Sequence, residues 1–326
     1  MAMPKDNNTT REIGGYFELE RFYGHELHEG ALALDCARNC LAYVIEARGI
    51  ESIWVPYFLC NSVDLVLARY PQVAVHKYEI AANFEPVWDT FELAGDDYLY
   101  LVDFYGQLSD EQIANAAERA GGRIVVDEVM AYWHMPVDGL DTLYSCRKFI
   151  GVADGAYLYT SARIGRELEV CRSNDKMGFV LGRAEQSAND FYPGSVANNR
   201  RFREEDIQWM SPITHNLLRA VDYDRAATRR KANFEVLAEE LGELNQLTPR
   251  ATYGAFMYPL LIEGGEKLRK QLQSRKIYVS MLWDYALGTP GLGDRYARDI
   301  LPMPVDQRYD EDDMRYMARV LRELRG

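Results

Sequence analysis

The segment DTLYSCRKFIGVADGAYLYT, residues 141–160, places a lysine between two apolar runs. At its centre is Lys148, one of eight lysines in the chain, and its neighbours, Tyr144 and Phe149 among them, are largely apolar. An ammonium group held against apolar neighbours loses hydration, so its pKa falls and the neutral amine becomes a nucleophile toward aldehydes. The alternative is a lysine at a strand end whose ammonium extends into water.

The overall composition limits the classes of partner. With 326 residues, the chain can bury a large core and is expected to form two lobes. A content of 48% hydrophobic and 27% charged residues is typical of a soluble protein. The net charge of −13 argues against nucleic acid and anionic membranes as main partners, because both require clustered Lys and Arg. A small anionic ligand remains open, since a local pocket can be positive on an acidic protein.

Cysteine and histidine usage indicates a cytoplasmic protein without a metal site. The five cysteines are scattered without a C-x-x-C pair, which favours a reducing compartment over a disulfide scaffold or a zinc site: Cys36, Cys40, Cys60, Cys146 and Cys171. His25 and His28 lie close together but lack a second ligand pair. The first fifteen residues lack an apolar signal core, and no stretch approaches the ~18–20 apolar residues of a membrane span.

Short apolar runs alternate with helical patterns in the first half of the chain. Strands are predicted at 52–56, 73–80, 98–104 and 123–127, with helices at 61–69 and 109–122. Such alternation predicts a mainly parallel sheet covered by helices, whose ligands bind beyond the carboxyl ends of the strands. The residues at those ends are Pro56-Tyr57-Phe58, Tyr105-Gly106-Gln107 and Asp127-Glu128.

A helix with a possible anion site is predicted within residues 31–49. Asp35 is the candidate N-cap and Gly49 the stop, with the first turn near Cys36 to Arg38. Free N–H groups beside a guanidinium suit a phosphate. A capped surface helix with one unrelated Arg is the alternative.

The second half predicts a smaller α+β lobe. The pattern predicts a helix at 163–172, an irregular loop at 182–203, a long lobe-joining helix at 212–244, strands at 255–262 and 277–283, and helices at 267–275 and 311–324. We therefore divide the chain into a disordered or extended tail at 1–13, a large domain at 14–211, and the joining helix with the small domain at 212–326.

Three features together fit one cofactor. Asp127 ends the apolar strand RIVVD, and a buried carboxylate there requires a cationic or hydrogen-bonding partner. A protonated pyridine nitrogen would be such a partner. Lysine for an aldehyde, aspartate for a pyridinium and a helix N-terminus for a phosphate are the requirements of pyridoxal 5′-phosphate (PLP).

Several motifs carry a more specific resemblance. Lys148 is followed by Asp154-Gly155-Ala156, in the register of an acidic residue and paired glycines. DEVMAY (127–132) is similar to Asp-x-Ala-Gln-Ala-Phe, and CARNCL (36–41) to the phosphate turn Ser-Gly-x-x-Ala-Leu. IGGYFELE (13–20), DFYGQ (103–107) and LPMPVDQRY (301–309) extend the likeness. Nearly the whole chain thus resembles the DegT/StrS family of PLP-dependent sugar aminotransferases.

This resemblance implies the fold type I (aspartate aminotransferase-like) α/β architecture. It implies that Lys148 bonds to the PLP aldehyde, that Asp127 holds the pyridinium, and that Ser145 and the amides of Ala37, Arg38 and Asn39 hold the phosphate. Tyr105 is a candidate for contact with the ring, as are Tyr57 and Phe58. The implied amino donor is glutamate and the implied acceptor a nucleotide-linked keto-sugar. The implied assembly is a homodimer, with the N-terminal aromatic segment and residues 182–203 as candidates for the interface.

Departures from the family pattern keep alternatives open. Met130 replaces the usual glutamine, and Leu59 or Cys60 stands where an aromatic residue is common. Three alternatives therefore remain: a PLP enzyme that acts on a non-sugar ketone, a dehydratase, or a catalytically silent protein that binds a ligand or acts as a sensor. Related dehydratases carry His in place of Lys148, which favours transamination. A Rossmann dehydrogenase is disfavoured because no G-x-G-x-x-G opens a helix after a strand.

Overall fold

The computed structural model describes residues 13–325, so the predicted tail at 1–13 lies, except for Ile13, outside the described residues. Its central sheet has seven strands: β1 (Leu32–Leu34), β2 (Ser52–Pro56), β3 (Ala74–Tyr78), β4 (Tyr98–Val102), β5 (Ile124–Asp127), β6 (Asp141–Ser145) and β7 (Ala156–Tyr159). The order across the sheet is β1-β7-β6-β5-β4-β2-β3. Strands β2 to β6 run parallel, whereas β7 is antiparallel to both β6 and β1.

The strands at the centre of the sheet are buried and apolar, and for that reason the pattern of short apolar runs predicts them. Every residue of β5 and β6 is buried, and Val102 of β4 pairs with Asp127 of β5, which pairs in turn with Leu143 of β6. Strands covered on both faces are nearly continuous apolar runs. The predicted α/β fold with a mostly parallel sheet is confirmed.

Five helices accompany this sheet: α1 (Ala37–Arg48), α2 (Asn61–Leu67), α3 (Asp110–Arg119), α4 (Gly178–Glu185) and α5 (Ala188–Arg201). The predicted N-cap of α1 is wrong, because extended Cys36 occupies the cap position and buried Asp35 accepts hydrogen bonds from the Asn39 side chain instead. Gly49 ends α1 in the left-handed conformation, as expected.

Two predictions between β7 and residue 211 are wrong. Residues 163–172 form no helix, and the predicted loop at 182–203 contains the second half of α4 and all of α5. Pro193 and Gly194 lie within α5, and their presence in a polar segment favoured the prediction of a loop.

The remaining chain builds a second apolar core. It contains α6 (Pro212–Leu218), α7 (Tyr223–Leu241), β8 (Met257–Leu261), α8 (Gly265–Ser274), α9 (Gly293–Asp299), β9 (Ile300–Pro304) and α10 (Glu311–Arg325). Strands β8 and β9 pair antiparallel, and α7, α8 and α10 supply the apolar residues that pack on them. The predicted boundary at residue 211 stays a prediction.

The predicted helix at 212–244 is divided by the turn at 219–222, and the predicted strand at 277–283 is irregular. Strand β9 contains Pro302 and Pro304, and for that reason the pattern did not predict a strand there. Within residues 13–325 no helix is both long and apolar enough to span a lipid bilayer.

Candidate active site

A cavity of about 430 Å³ lies beyond the carboxyl ends of β5 and β6. Its wall includes the N-terminal turns of α1 and α2, the ends of both strands, and residues 281–285 of the C-terminal part. Five of the seven predicted site residues line it: Lys148, Asp127, Ala37, Arg38 and Ser145. The carboxyl ends of parallel strands and the first turns of the following helices meet at one edge of a sheet, which explains this convergence.

Asp127 is fixed on the cavity floor by two hydrogen bonds. Its Oδ2 accepts a bond of 2.5 Å from the Tyr100 hydroxyl, and its Oδ1 accepts one of 2.9 Å from the Val129 N–H. Burial raises the pKa of Asp127, against the opposing effects of the Tyr100 hydrogen bond and the charge of Lys148. A buried carboxylate held in this way has one orientation and a strong preference for a cationic partner.

Lys148 lies in the 3₁₀ turn at 146–148, directly after β6. Its side chain is solvent-accessible because it lines the open cavity. Its Nζ lies 5.5 Å from the centre of the Phe256 ring. Incomplete hydration lowers the pKa of Lys148, although nearby Cys60 and Asp127 act in the opposite direction. The lysine is therefore an amine with an increased neutral fraction, facing a carboxylate across one cavity.

The turn that carries Lys148 is fastened to the C-terminal part of the chain. The carbonyl oxygen of Phe149 accepts a hydrogen bond of 2.9 Å from Gln307 Nε2 and one of 3.4 Å from Arg230 Nη2. The Arg230 side chain also donates a bond of 3.0 Å to the Ala255 carbonyl. These bonds fix the backbone next to the lysine.

Asp154 and Gly155 explain the spacing that follows the lysine. The buried Asp154 carboxylate accepts bonds from the Ser211 N–H at 2.7 Å and the Ser211 hydroxyl at 2.8 Å. Gly155 has φ +118°, and a Cβ there would lie 2.9 Å from Thr214 Cγ2. Asp154 and Gly155 thus help to position the turn at 146–148 and do not line the cavity.

The first turn of α1 closes one end of the cavity. Ala37 and Arg38 line it, and N–H groups at a helix start have no carbonyl one turn earlier to bind. The Asn39 N–H donates to the Cys36 carbonyl at 3.0 Å, and the Asn39 side chain points to Asp35. Asn39 is therefore not on the wall.

Arg147 is a wall residue that the sequence did not single out. Its Nη2 donates a 2.6 Å hydrogen bond to Asn199 Oδ1, and its guanidinium carbon lies 4.5 Å from the centre of the Phe202 ring. Burial lowers the pKa of Arg147 to about 10. Its buried Nε has no hydrogen-bond partner among residues 13–325. Arg147 and Arg38 together make this end of the cavity cationic.

Tyr105 does not line the cavity. Its side chain is buried, with the ring centre 5.8 Å from that of Phe84, and its N–H donates to Met130 Sδ at 3.4 Å. Met130, at the position where the family has glutamine, does line the cavity.

The aromatic residues on the wall are Tyr100, Trp283 and Tyr285. Trp283 has φ +61° and packs edge-on against Phe58, with ring centres 4.5 Å apart. Its segment was predicted as a strand, and no local sequence pattern indicated that it reaches across to Lys148.

No protein-family model and no curated protein matches the sequence. Solved structures do match in fold. A DegT DnrJ EryC1 StrS aminotransferase from Brucella abortus superposes with a TM-score of 0.62 at 16% identity, covering 91% of this chain and 86% of its own. DesI in the presence of its TDP-sugar product gives 0.62 at 16% identity, covering 90% and 80%. Spr1654 from Streptococcus pneumoniae in its PLP form gives 0.64 at 13% identity, covering 90% and 86%. The chain therefore has the fold type I architecture of DegT/DnrJ/EryC1/StrS aminotransferases, as predicted.

Proposed function

We propose that this protein is a PLP-dependent aminotransferase of the DegT/StrS kind, with Lys148 as the lysine that binds the cofactor. The observation that carries the proposal is that Lys148, Asp127 and the first turn of α1 border one cavity. An amine, a buried carboxylate and a cationic helix start are the three groups that PLP requires.

The described residues fit this cofactor. Asp127 is buried, and burial raises its pKa, which a pyridinium partner would offset. The unpartnered Nε of Arg147 and the open first turn of α1 are donors without acceptors, which a phosphate could satisfy.

PLP, when bound, supplies an electron sink that makes the carbon next to an amino group acidic. Asp127 would hold the pyridine nitrogen protonated, with Tyr100 as its positioning residue. The lowered pKa of Lys148 favours its neutral amine, which could take a proton from the carbon of the amino donor and return it to the acceptor. The Phe256 ring, 5.5 Å from Nζ at its centre, covers one side of that amine.

The phosphate end of the ligand would lie at α1. The N–H groups of Ala37 and Arg38 point out of the helix start, the Ser145 hydroxyl lies on the same wall, and Arg147 adds a fixed guanidinium. A helix N-terminus and an arginine both favour an anion. The phosphate contacts of Ala37, Arg38 and Ser145 are thus part of the proposal. The predicted cofactor contacts of Asn39 and Tyr105 stay predictions.

For the substrate we propose a nucleotide-linked keto-sugar as acceptor and glutamate as amino donor. Support comes from the fold likeness to DesI, which was solved with its TDP-sugar product. The wall has polar donors from α1 and Arg147 as well as the aromatic side chains of Trp283 and Tyr285, which suits an anionic ligand with a planar part.

A homodimer is part of the proposal. Residues 13–23 expose aromatic and aliphatic side chains that a monomer leaves in water, notably Tyr16 at 96%, Phe17 at 101% and Tyr23 at 85% of full exposure. Exposed apolar clusters of this kind are typical of interfaces. Helix α5, with Tyr192 exposed, is the second candidate surface.

Amino-group exchange tests the function directly. Protein reconstituted with PLP and given L-glutamate should release 2-oxoglutarate once per site and convert the cofactor spectrum to that of pyridoxamine phosphate. After 2-oxoglutarate is removed, keto-sugar nucleotides should restore the starting spectrum, whereas non-sugar ketones other than 2-oxoglutarate, which reverses the first half-reaction, should not. Restoration by non-sugar ketones alone would favour the non-sugar enzyme. PLP binding without exchange with any amino acid would favour the silent ligand-binding protein and reject the proposal.

A further inference from the structure

A second polar cluster lies beside the cavity, at the ends of β4 and β5. Asp103 follows β4, Glu128 follows β5, and His134 lies in the turn after them. One potential ligand atom from each residue lies within 4.8 Å of the others. Asp103 is 0% and Glu128 1% exposed, so two carboxylates share an interior site with one imidazole.

The orientation of the imidazole leaves one nitrogen facing two oxygen acceptors. His134 Nε2 lies 2.7 Å from Asp110 Oδ1, and its Nδ1 lies 3.0 Å from Glu128 Oε1 and 3.9 Å from Asp103 Oδ2. When Nε2–H donates to Asp110, the Nδ1 lone pair points at carboxylate oxygens. Such an arrangement is repulsive unless a cation or a second proton lies between them.

The two carboxylates are also incompletely satisfied. Across the part of the chain that the structure describes, Asp103 Oδ2 and Glu128 Oε2 have no hydrogen-bond partner. A buried polar oxygen without a partner is costly, so either a cation or a proton is needed between the two carboxylates.

We propose that Asp103, Glu128 and His134 bind a divalent transition-metal ion, Zn²⁺ or Mn²⁺. One imidazole nitrogen with carboxylate oxygens is a ligand set that these ions accept, whereas Mg²⁺ prefers oxygen and water alone. Asp110 completes the arrangement, because a metal-binding histidine usually donates its other N–H to a carboxylate. The His134 side chain is 27% exposed and gives the ion a route from solvent.

The consequence of this ion would be structural. Glu128 directly follows Asp127, and the Asp103 N–H donates to the Asp127 carbonyl at 3.0 Å. An ion bound by both Asp103 and Glu128 would therefore connect the ends of β4 and β5 next to Asp127, the residue that faces the cavity. The inference does not depend on the proposed aminotransferase activity.

Metal titration of the full chain tests the site. After treatment with a chelator, calorimetry with Zn²⁺, Mn²⁺ and Mg²⁺ should show one Zn²⁺ or Mn²⁺ site per chain, with Mg²⁺ at least tenfold weaker. Saturating Zn²⁺ should raise the melting temperature. Glu128→Gln and His134→Gln should lose both effects, while His25→Gln, which changes an exposed histidine elsewhere, should keep them.

Asp110→Asn gives a variant that leaves the core intact. Asp110 is largely exposed and contacts His134, so this variant should fold normally and bind the metal about 10- to 100-fold more weakly. Absence of stoichiometric binding in the wild type, or wild-type affinity in both Asp110→Asn and His134→Gln, would overturn the proposal. In that case a proton shared by the two carboxylates would account for the cluster.

Discussion

Tyr100 donates a hydrogen bond of 2.5 Å to Asp127, and both residues line the cavity that Lys148 faces. Tyr100 is on β4 and Asp127 is at the end of the adjacent β5, so the hydrogen bond links two neighbouring strands of the parallel sheet. The bond counteracts the rise in the pKa of Asp127 that burial causes. It therefore favours the ionised form of a buried carboxylate and fixes its orientation.

Tyr100→Phe should weaken PLP binding by about 10- to 100-fold, because a hydrogen bond to a charged group contributes roughly 1.5–3 kcal/mol. Without the bond the pKa of Asp127 rises further, so the loss should be greatest at the acidic end of the binding profile. Spectroscopic titration with PLP between pH 5 and 8 measures it. Tyr98→Phe, two residues earlier on β4 and away from the cavity, is the control. Identical pH profiles for both variants would contradict the role of Tyr100.

Arg147→Met should lower the affinity for PLP about 10- to 100-fold, by loss of a charge-assisted contact to phosphate. Its affinity for pyridoxal, which lacks the phosphate, should change little. Comparing the two ligands by fluorescence titration separates phosphate binding from a general disturbance. Arg163→Met removes an exposed arginine that donates to the nearby carbonyls of Thr160 and Ala162, and should change neither affinity. An equal loss for both ligands would refute a phosphate contact.

Gly155→Ala should destabilise the fold by about 2–4 kcal/mol, through a strained positive φ and a steric overlap with Thr214. Urea unfolding followed by circular dichroism measures the free energy of unfolding. Gly165→Ala is the matched control, since a Cβ there meets nothing within 4 Å. If the two variants are equally stable, the conformation of Gly155 is not the reason for the motif.

Asp35→Asn should change how stability depends on pH. Burial raises the pKa of Asp35 to about 7, so the native protein holds a proton that the unfolded chain releases near pH 4. The wild type should therefore lose stability as pH rises from about 4 to 7, by up to about 1.4 kcal/mol per pH unit from this group. Chemical unfolding across that range should show a smaller decline in Asp35→Asn. The exposed-site variant Asp138→Asn should follow the wild type, and parallel curves for all three proteins would contradict the assignment.

The central sheet could be predicted because its strands are short apolar runs separated by turns. Strand β2 was predicted with its observed ends, and the β4 and β5 predictions differed by one or two residues. The pattern failed where burial did not decide the structure. Helix α5 is polar and contains Pro193, and the segment 277–283 alternates like a strand but has no partner strand.

Lys148 and Asp127 could be found from the sequence because each is a charged residue beside an apolar strand, and such positions need a chemical reason. Tyr100 and Arg147 could not be found in the same way. Tyr100 reads as an ordinary strand residue, and Arg147 lies in a turn where an exposed arginine would be unremarkable. Their roles depend on contacts between segments distant in sequence, and no local pattern encodes those contacts.

The most direct measurement is the position of the covalent link to the cofactor. PLP-loaded protein should be reduced with borohydride, digested and examined by peptide mass spectrometry. We expect one added pyridoxyl phosphate group, on Lys148, in the wild type and in the control Lys276→Arg, and none in Lys148→Arg. A label on a different lysine, or an unchanged PLP absorption band in Lys148→Arg, would contradict it.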